Sequence, residues 1–474
     1  MGLRTGDQYV EAVRRAKNIY VNGQRVEDVA QHPATRAMLS TMSSVYELQQ
    51  QSAHQDVLTC RSEYTGNRIS SGYLLPHTKE DLYRRKEMIE FLAFNFGGGV
   101  ATRLPEYMGL ILVGMLNIRK KLCRQNPQYE KNLEAYYIHV SEEDLALTHA
   151  FSELRVNRAL GRNLPAAEGY RVTEERGEGV VVEGARGVAT LAPFCDELFG
   201  WNSSAVPEKA LYFSHPIAMS GLRIYCREPA APGRSPMDRP LAGRYDELDA
   251  YTFYENAVIP WDRIYMKGDV EIAGLGTAEG LLWGSWHVLI RQTVKTLVFV
   301  GLTAAIAEYL GTTTFPNVQE EIAELMVYAE VLRALVVASI EGMRVTELGY
   351  AAPSYLTTTC GRTFFNMQLP RMLHLVQELA GSSMIMAPTE ADLRNEDIGR
   401  WLESSFAGVG ASALQKMKLF KLAWDLACSD FGGRQVLFEL FNFGTPLTNR
   451  GRLFGMFDTA ELVRKVKAIA GIEA

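Results

Sequence analysis

The feature that most constrains the fold is a change of hydrophobic period along the chain. From about residue 275 onward, apolar residues recur at helical spacing in segments much longer than the ~11-residue average helix. These segments are residues 283–310, 319–348, 363–379 and 414–428. Long helices with apolar faces bury those faces against one another. We therefore predict a C-terminal helical bundle domain with a tail, residues 269–474.

The middle of the chain has a different character. Short β-branched or aromatic stretches alternate with turns rich in Gly, Pro and Asp between about residues 165 and 266. The stretches are 170–173, 179–190, 210–214, 222–226 and 251–254. This pattern predicts a compact antiparallel β domain, placed at residues 161–268. The proline-rich residues 229–240 are predicted as a long surface loop and a candidate mobile lid.

The first 160 residues are predicted to be mainly helical. Thr78, followed by acidic residues and an apolar helical period, is typical of a helix start. Pro105 marks a second start, and the nearly all-apolar residues 107–116 that follow predict a buried helix. With an N-terminal helical domain at 1–160, the chain is predicted to be mainly α with a central β domain.

Composition excludes several classes of protein. The 474 residues include 49 Lys and Arg against 55 Asp and Glu, a net charge of −6 that does not suit a nucleic-acid partner. The longest apolar runs are about ten residues, short of the ~20 that span a bilayer, so no membrane partner is expected. Six scattered cysteines without a C-x-x-C pair predict a reduced, cytoplasmic protein.

Several common catalytic motifs are missing from the sequence. It contains no G-x-x-x-x-G-K-[ST] phosphate loop, no H-E-x-x-H and no G-x-S-x-G nucleophile elbow. The eight histidines include no i, i+4 pair, so no metal site is predicted. Residues 408–413 match G-x-G-x-x-A, but no strand precedes them. We therefore predict that the chain has no NAD(P)H-binding domain.

Three motifs, in order along the chain, resemble those of the 4-hydroxyphenylacetate 3-hydroxylase family. The first is Thr102-Arg-Leu-Pro-Glu-Tyr107. The second is Arg244-Tyr-Asp-Glu-Leu-Asp-Ala followed by Val258-Ile-Pro-Trp-Asp-Arg, and the third is Ser429-Asp-Phe-Gly-Gly-Arg434. The resemblance extends from about residue 6 to 445. The family comprises oxygenase components of two-component, FAD-dependent phenol monooxygenases.

The resemblance implies both a fold and an activity. The fold is acyl-CoA dehydrogenase-like, with an N-terminal helical domain, a middle antiparallel β-barrel or sandwich and a C-terminal four-helix bundle. The activity is hydroxylation of a phenolic substrate ortho to its hydroxyl by reduced FAD (FADH2) and the co-substrate O2, through a flavin C4a-hydroperoxide. The implied partners are a separate NAD(P)H:flavin reductase and further copies of the chain, in a homodimer or homotetramer.

The resemblance also assigns catalytic residues. Arg103 and Tyr107 are expected to bind and stabilise the phenolate, and His149 is expected to contact both substrate and flavin and to handle protons. From the residues alone, each has a plainer interpretation: an arginine at a helix terminus, a packed tyrosine and a core histidine.

Further residues are expected around the flavin and the substrate. The cofactor-binding set, which shares His149 with the catalytic set, is Arg155, Val156, Asn157, Arg158, Thr190, Gly432, Gly433 and Arg434. Gly432 and Gly433 would let the backbone approach the FAD pyrophosphate, which Arg434 would neutralise. Ser203 and Ser204 resemble a lid on the substrate side. Where the family usually has Asn-Pro after the histidine, this chain has Ser152-Glu153, which leaves the substrate open.

Other functions remain open at this point. A related branch dehydrates 4-hydroxybutyryl-CoA with an iron–sulfur cluster, but it needs cysteines where this chain has Arg103 and Tyr107. An acyl-CoA dehydrogenase would need a carboxylate base that no motif identifies. N-oxygenation, ring cleavage and a catalytically retired flavin-fold binding protein are further alternatives. The phenol could be free or attached to a carrier protein.

Overall fold

The computed structural model describes residues 3–14, 18–154, 169–202, 204 and 206–472. The predicted flavin-binding residues Arg155, Val156, Asn157 and Arg158, and the predicted lid residue Ser203, lie outside this part of the chain.

The N-terminal region is helical, as predicted. Its helices are α1 (Gly6–Val13), α2 (Arg36–Gln50), α3 (Gln55–Leu58), α4 (Lys79–Asn95), α5 (Glu106–Asn117), α6 (Arg119–Leu122) and α7 (Pro127–Glu142). The predicted helix start at Thr78 is confirmed: its side chain accepts a hydrogen bond from the Asp81 backbone, and Asp81 caps Thr78 in return. Every residue of α5 is buried, which explains its continuous apolar run.

Two sheets form the centre of the molecule. The strands are β1 (Ile19–Val21), β2 (Gln24–Arg25), β3 (Thr59–Arg61), β4 (Arg68–Ser70), β5 (Leu147–Thr148), β6 (Ser152–Glu153), β7 (Arg171–Glu175), β8 (Gly179–Gly187), β9 (Glu197–Gly200), β10 (Leu211–Pro216), β11 (Leu222–Cys226), β12 (Ala250–Pro260) and β13 (Ile264–Lys267). A seven-stranded sheet has the order β2-β1-β11-β12-β8-β6, with β7 also paired to β8. A four-stranded sheet has the order β13-β10-β9-β5, and β3 pairs separately with β4. A short helix, α8 (Ala242–Tyr245), precedes β12.

The predicted antiparallel pairing is confirmed among the described strands of residues 161–268, and the two parallel pairs involve strands from outside that range. Strand β1 pairs in parallel with β11, and β5 pairs in parallel with β9. Both β1 and β5 come from the first 160 residues, so the N-terminal region adds strands to each sheet. The domain boundary at residue 160 remains a prediction. Each of the two sheets contains strands from both sides of that residue.

Long helices pack together after the sheets. They are α9 (Val270–Leu310), α10 (Pro316–Glu341), α11 (Tyr355–Ala380), α12 (Glu390–Arg394), α13 (Gly399–Phe406), α14 (Ala413–Ala427), α15 (Asp430–Phe441), α16 (Pro446–Met456) and α17 (Ala460–Ile469). A small hairpin of β14 (Arg344–Val345) and β15 (Ala351–Ala352) separates α10 from α11.

Helix α9 is the central helix of this bundle. It packs against α4, α5, α10 and α11, and these neighbours cover its apolar faces. Of the described helices of at least 18 residues, it is the one long and apolar enough to cross a membrane by length and composition. Because half of its most apolar window is buried inside the protein, its position as a core helix accounts for that composition.

Candidate active site

Arg103 and Tyr107 come together at the start of α5. Arg103 lies in the loop before the helix, Pro105 is the N-cap residue, and Tyr107 is in the first turn. The guanidinium carbon of Arg103 lies 4.2 Å from the centroid of the Tyr107 ring, within cation–π distance. Both side chains are buried, with 6% and 1% of their surface exposed. The two residues therefore converge on one enclosed space.

Several polar atoms around this space lack partners in the described part of the chain. Among the described residues, no hydrogen bond reaches Nε or Nη1 of Arg103, the Tyr107 hydroxyl or either ring nitrogen of His149. Nη2 of Arg103 makes one long contact, 3.4 Å, to Oδ1 of Asn442. Buried polar groups are normally paired, and leaving one unpaired costs about 1–3 kcal/mol. This concentration of unpaired donors and acceptors is expected for a site whose ligand completes the hydrogen bonds.

His149 lies where strands of the smaller sheet end. It follows β5, whose neighbour β9 ends immediately before Trp201. The His149 ring is 4.8 Å from the nearest ring centroid of Trp201 and 6.2 Å from that of Tyr107. The Nε1–H of Trp201 is also buried and has no partner among the described residues. Trp201 was not predicted, and its only sequence signal is its position in the same loop as Ser204.

Burial and the Arg103 charge determine the protonation of the pocket. Burial raises the pKa of Tyr107, and the Arg103 guanidinium opposes that rise only in part. Burial, reinforced by Arg103, holds the pKa of His149 well below its ordinary value. At neutral pH the space therefore contains a cation, a neutral tyrosine hydroxyl and a neutral imidazole. This arrangement favours an anionic oxygen over a neutral one.

A buried carboxylate, Glu247, fixes the backbone next to Arg103. Its Oε1 accepts hydrogen bonds from the backbone N–H groups of Thr102 at 2.6 Å and Arg103 at 2.8 Å. Its Oε2 accepts from the Thr102 hydroxyl at 2.6 Å and from Nη1 of Arg434 at 2.8 Å. Glu247 has no exposed surface. The loop that presents the Arg103 side chain is thus tied to the loop before β12 and to α15.

Asp249 extends this arrangement toward the smaller sheet. It accepts hydrogen bonds from Nε and Nη2 of Arg434 at 2.8 and 2.7 Å, and from the Thr190 hydroxyl at 2.8 Å. The Thr190 carbonyl in turn accepts from the hydroxyl of Thr148, the residue before His149. We call Glu247, Asp249 and Arg434 the carboxylate junction. It links the segments that carry Arg103 and His149.

Backbone conformation at the junction is unusual. Leu248, between the two carboxylates, has φ +47°, and Leu191, next to Thr190, has φ +68°. Non-glycine residues rarely adopt this left-handed region, and they do so where the surroundings determine the conformation. The Leu191 N–H donates to the Glu247 carbonyl, so the two strained turns hold each other.

The junction also accounts for the third sequence motif. The Arg434 donors Nε, Nη1 and Nη2 all contact Glu247 or Asp249, so this guanidinium neutralises protein carboxylates. Gly432 and Gly433 lie in the first turn of α15. A Cβ atom on Gly432 would approach the Leu426 carbonyl to 2.7 Å, so this glycine lets α15 start against the end of α14. The predicted FAD pyrophosphate contacts of these three residues remain predictions.

The other predicted residues occupy less decisive positions. Thr190 uses its hydroxyl hydrogen on Asp249, which leaves the oxygen free to accept a hydrogen bond from a flavin ring N–H. The Ser204 hydroxyl accepts a hydrogen bond from the Val206 backbone at 3.1 Å. The predicted lid, residues 229–240, is fixed in part to α12 by a hydrogen bond from the Ser235 hydroxyl to Glu390, 3.0 Å.

Two family models match nearly the whole chain. The 4-hydroxyphenylacetate 3-hydroxylase N-terminal model matches residues 5–266, and the C-terminal model matches residues 278–471. The chain belongs to the 4-hydroxyphenylacetate 3-hydroxylase family.

Individual proteins agree with this membership. The oxygenase component of 4-hydroxyphenylacetate 3-monooxygenase from Thermus thermophilus is 33% identical over 475 residues, which cover 98% of this chain and 97% of the relative. A crystal structure of such an oxygenase component, in complex with FAD and 4-hydroxyphenylacetate, matches with a TM-score of 0.92 and 32% identity over 98% of each chain. A 4-hydroxybutyryl-CoA dehydratase from N. maritimus matches with a TM-score of 0.91, over 100% of this chain and 96% of its own. At 19% identity, that likeness shows the fold alone.

These findings confirm the predicted fold class, enzyme class and cofactor. The protein is the oxygenase subunit of a two-component, FADH2-dependent aromatic monooxygenase, and O2 is its co-substrate. The residues present fit that cofactor. The unpaired nitrogens of His149, the indole N–H of Trp201 and the accepting oxygen of Thr190 can serve the polar edge of a flat heteroaromatic ring.

Proposed function

We propose that this oxygenase hydroxylates a phenol ortho to its hydroxyl, with the phenol oxygen bound between Arg103, Tyr107 and His149. The observation that carries this proposal is a set of buried polar groups that have no partner among the described residues and lie around the Arg103 guanidinium. A phenol oxygen supplies what the set lacks: one atom that accepts several hydrogen bonds and can become negative.

Each of the three residues has a separate task. Arg103 stays charged and stabilises the ionised phenol oxygen, which makes the ortho carbon electron-rich. Tyr107 keeps its proton because burial raises the pKa of its hydroxyl, and it donates a hydrogen bond to the same oxygen. His149 is neutral at neutral pH because burial lowers its pKa, so one ring nitrogen accepts a hydrogen bond or a proton.

The oxygen atom comes from O2, which bound reduced FAD would activate. When bound, reduced FAD would react with O2 and supply the electrophilic oxygen donor, which we propose to be a flavin C4a-hydroperoxide. The chain must hold the phenol beside it and keep water out, since water favours loss of H2O2 over oxygen transfer. The enclosing side chains are suited to this, because Trp201 and Tyr107 are almost completely buried.

The proposed flavin contacts extend beyond the catalytic residues. Thr190 would accept a hydrogen bond from the flavin ring, while Arg155, Val156, Asn157 and Arg158 would line the cofactor. Gly432, Gly433 and Arg434 would act at the pyrophosphate side. Ser203 and Ser204 would face the substrate. Because Arg434 already neutralises two carboxylates, we propose that its effect on flavin affinity comes mainly from holding Thr190 and Asp249 in place.

Partners and location complete the proposal. The chain would receive reduced FAD from a separate NAD(P)H:flavin reductase and would work in the cytoplasm, where its six free cysteines stay reduced. A homodimer or homotetramer is supported by α17, which has no buried residue and exposes Leu462, Val463, Val466 and Ile469. Light scattering that gives a stable monomer would contradict the oligomer.

A direct assay tests the function. The purified chain is mixed with a phenol panel, O2 and FAD reduced chemically, and catechol products and H2O2 are measured. We expect hydroxylated product with reduced FAD, and none with NADH and oxidised FAD until a reductase is added. Product formed from NADH by the chain alone would contradict the proposed need for a separate NAD(P)H:flavin reductase.

A further inference from the structure

A buried acid–imidazole pair adjoins Tyr107 and has no role in the function proposed so far. Glu106 is the first residue of α5, and His287 lies on α9. Nε2 of His287 is 3.1 Å from Oε1 of Glu106, and the two side chains are 3% and 4% exposed. The second oxygen of Glu106 and Nδ1 of His287 have no hydrogen-bond partner among the described residues.

The pair is packed directly against the tyrosine. The His287 ring stands at 85° to the Tyr107 ring, with 5.0 Å between centroids. One turn earlier on α9, a Cβ atom at Gly284 would come within 2.9 Å of the Tyr107 hydroxyl. Residues three apart on a helix share a face, so one face of α9 supports the whole Tyr107 side chain.

The chemistry of the pair defines its state. A carboxylate accepts hydrogen bonds and cannot donate them, so Nε2 carries the imidazole hydrogen and Nδ1 is left as an acceptor. Burial lowers the pKa of His287, and Glu106 opposes that decrease only in part. The neutral ring, held in one tautomer and one orientation, gives Tyr107 a rigid neighbour.

We propose that Glu106 and His287 are positioning residues that hold Tyr107 in the orientation in which its hydroxyl donates to the phenol oxygen. This inference rests on the proposed function, because Tyr107 must bind that oxygen. The pair acts only through Tyr107. Its loss therefore reduces oxygen transfer without reducing the reaction of bound reduced flavin with O2.

A double-mutant cycle tests this proposal. The variants are Glu106→Gln, Tyr107→Phe and the double variant, each given reduced FAD, O2 and a phenol that the wild type hydroxylates. The ratio of hydroxylated product to H2O2 is measured, together with the melting temperature. We expect the ratio to fall about 10²-fold in Tyr107→Phe and about tenfold in Glu106→Gln. The double variant should be no worse than Tyr107→Phe alone.

A second variant and a control keep the result interpretable. His287→Gln can still donate to Glu106 but removes the ring that supports Tyr107, so it should match Glu106→Gln and serves if that variant does not fold. His215→Gln is the control, because His215 is equally buried but has partners on both nitrogens. It should lose thermal stability and keep its ratio.

The possible outcomes separate the two proposals. An unchanged ratio in Glu106→Gln, or a double variant tenfold worse than Tyr107→Phe, overturns the positioning role. An unchanged ratio in Tyr107→Phe itself contradicts the proposed function, and the positioning role then falls with it.

Discussion

Two buried polar regions meet at Arg103, and they differ in one respect. In the carboxylate junction, all four carboxylate oxygens of Glu247 and Asp249 accept hydrogen bonds from protein groups. Around the Arg103 side chain, most donors and acceptors have no partner in the part of the chain that the structure describes. The backbone N–H of Arg103 donates to Glu247 of the junction, whereas its side chain lies in the second region. A buried region with paired groups stabilises the fold, and one with unpaired groups is prepared for a ligand.

The largest effect is expected in the junction. Arg434→Gln removes the cation shared by the buried Glu247 and the partly buried Asp249, and breaking a buried ion pair costs about 3–5 kcal/mol. We expect a loss of this size in the free energy of unfolding, measured by denaturant titration. Arg371→Gln is the matched control, since Arg371 also contacts two carboxylates but its side chain is 39% exposed. It should lose about 0–1 kcal/mol. Equal losses in the two variants would contradict the comparison.

In the pocket, substitution should change chemistry more than stability. Arg103→Ala should lower product formation by about 10²-fold, or about 2.7 kcal/mol, because the phenolate loses its counter-charge. Flavin oxidation should continue and release H2O2 in place of product. Arg4→Ala is the control: Arg4 is also buried over a tyrosine, Tyr9, but it forms an ion pair with Asp196. That variant should melt at a lower temperature and keep its product-to-H2O2 ratio.

His149 sharpens the comparison because we propose that it contacts both the phenol and the flavin. His149→Gln keeps an amide near the phenol oxygen but cannot accept a proton, so the product-to-H2O2 ratio should fall about tenfold. The affinity for reduced FAD, measured by flavin absorbance under anaerobic conditions, should also decrease. A variant that melts at a lower temperature with both quantities unchanged would identify His149 as a core histidine without a catalytic role.

The smallest effect is expected in the loss of thermal stability at acidic pH. Burial alone would raise the pKa of Asp249, but the Arg434 guanidinium holds it well below its ordinary value. A depressed pKa contributes stability above the ordinary carboxyl value of about 4, and this contribution is lost as pH falls below it. Between pH 6 and 3 the melting temperature of the wild type should therefore fall more steeply than that of Asp249→Asn. If the melting temperatures of the two proteins fall in parallel, Asp249 does not contribute to the loss of stability in acid.

Local signals in the sequence predicted much of the architecture. The Thr78 cap, the Pro105 start of α5 and the strand Leu222–Cys226 all lie where composition and periodicity place them. The parallel pairing of β1 with β11 could not be predicted in this way, because it joins segments about 200 residues apart whose local pattern does not state a partner.

The same distinction between local signals and long-range contacts applies to the candidate active site. Arg103 and Tyr107 are close in sequence, so their convergence follows from the spacing on a helix start. Glu106 and His287 are 181 residues apart, and Arg434 and Asp249 are 185 apart, so only the fold brings them together. The sequence motifs already contain Glu106 in the first, Glu247 and Asp249 in the second, and Arg434 in the third. Their partners could not be read from spacing.

The central claim is that the unpaired groups around Arg103 stabilise an ionised phenol. The most direct test uses 4-nitrophenol, whose ionised form absorbs at longer wavelength, bound to the oxidised-flavin protein about one pH unit below its solution pKa. The wild type should bind it with the spectrum of the ionised form, and Arg103→Met should bind the neutral form. A neutral spectrum for the phenol bound to the wild type would contradict the account.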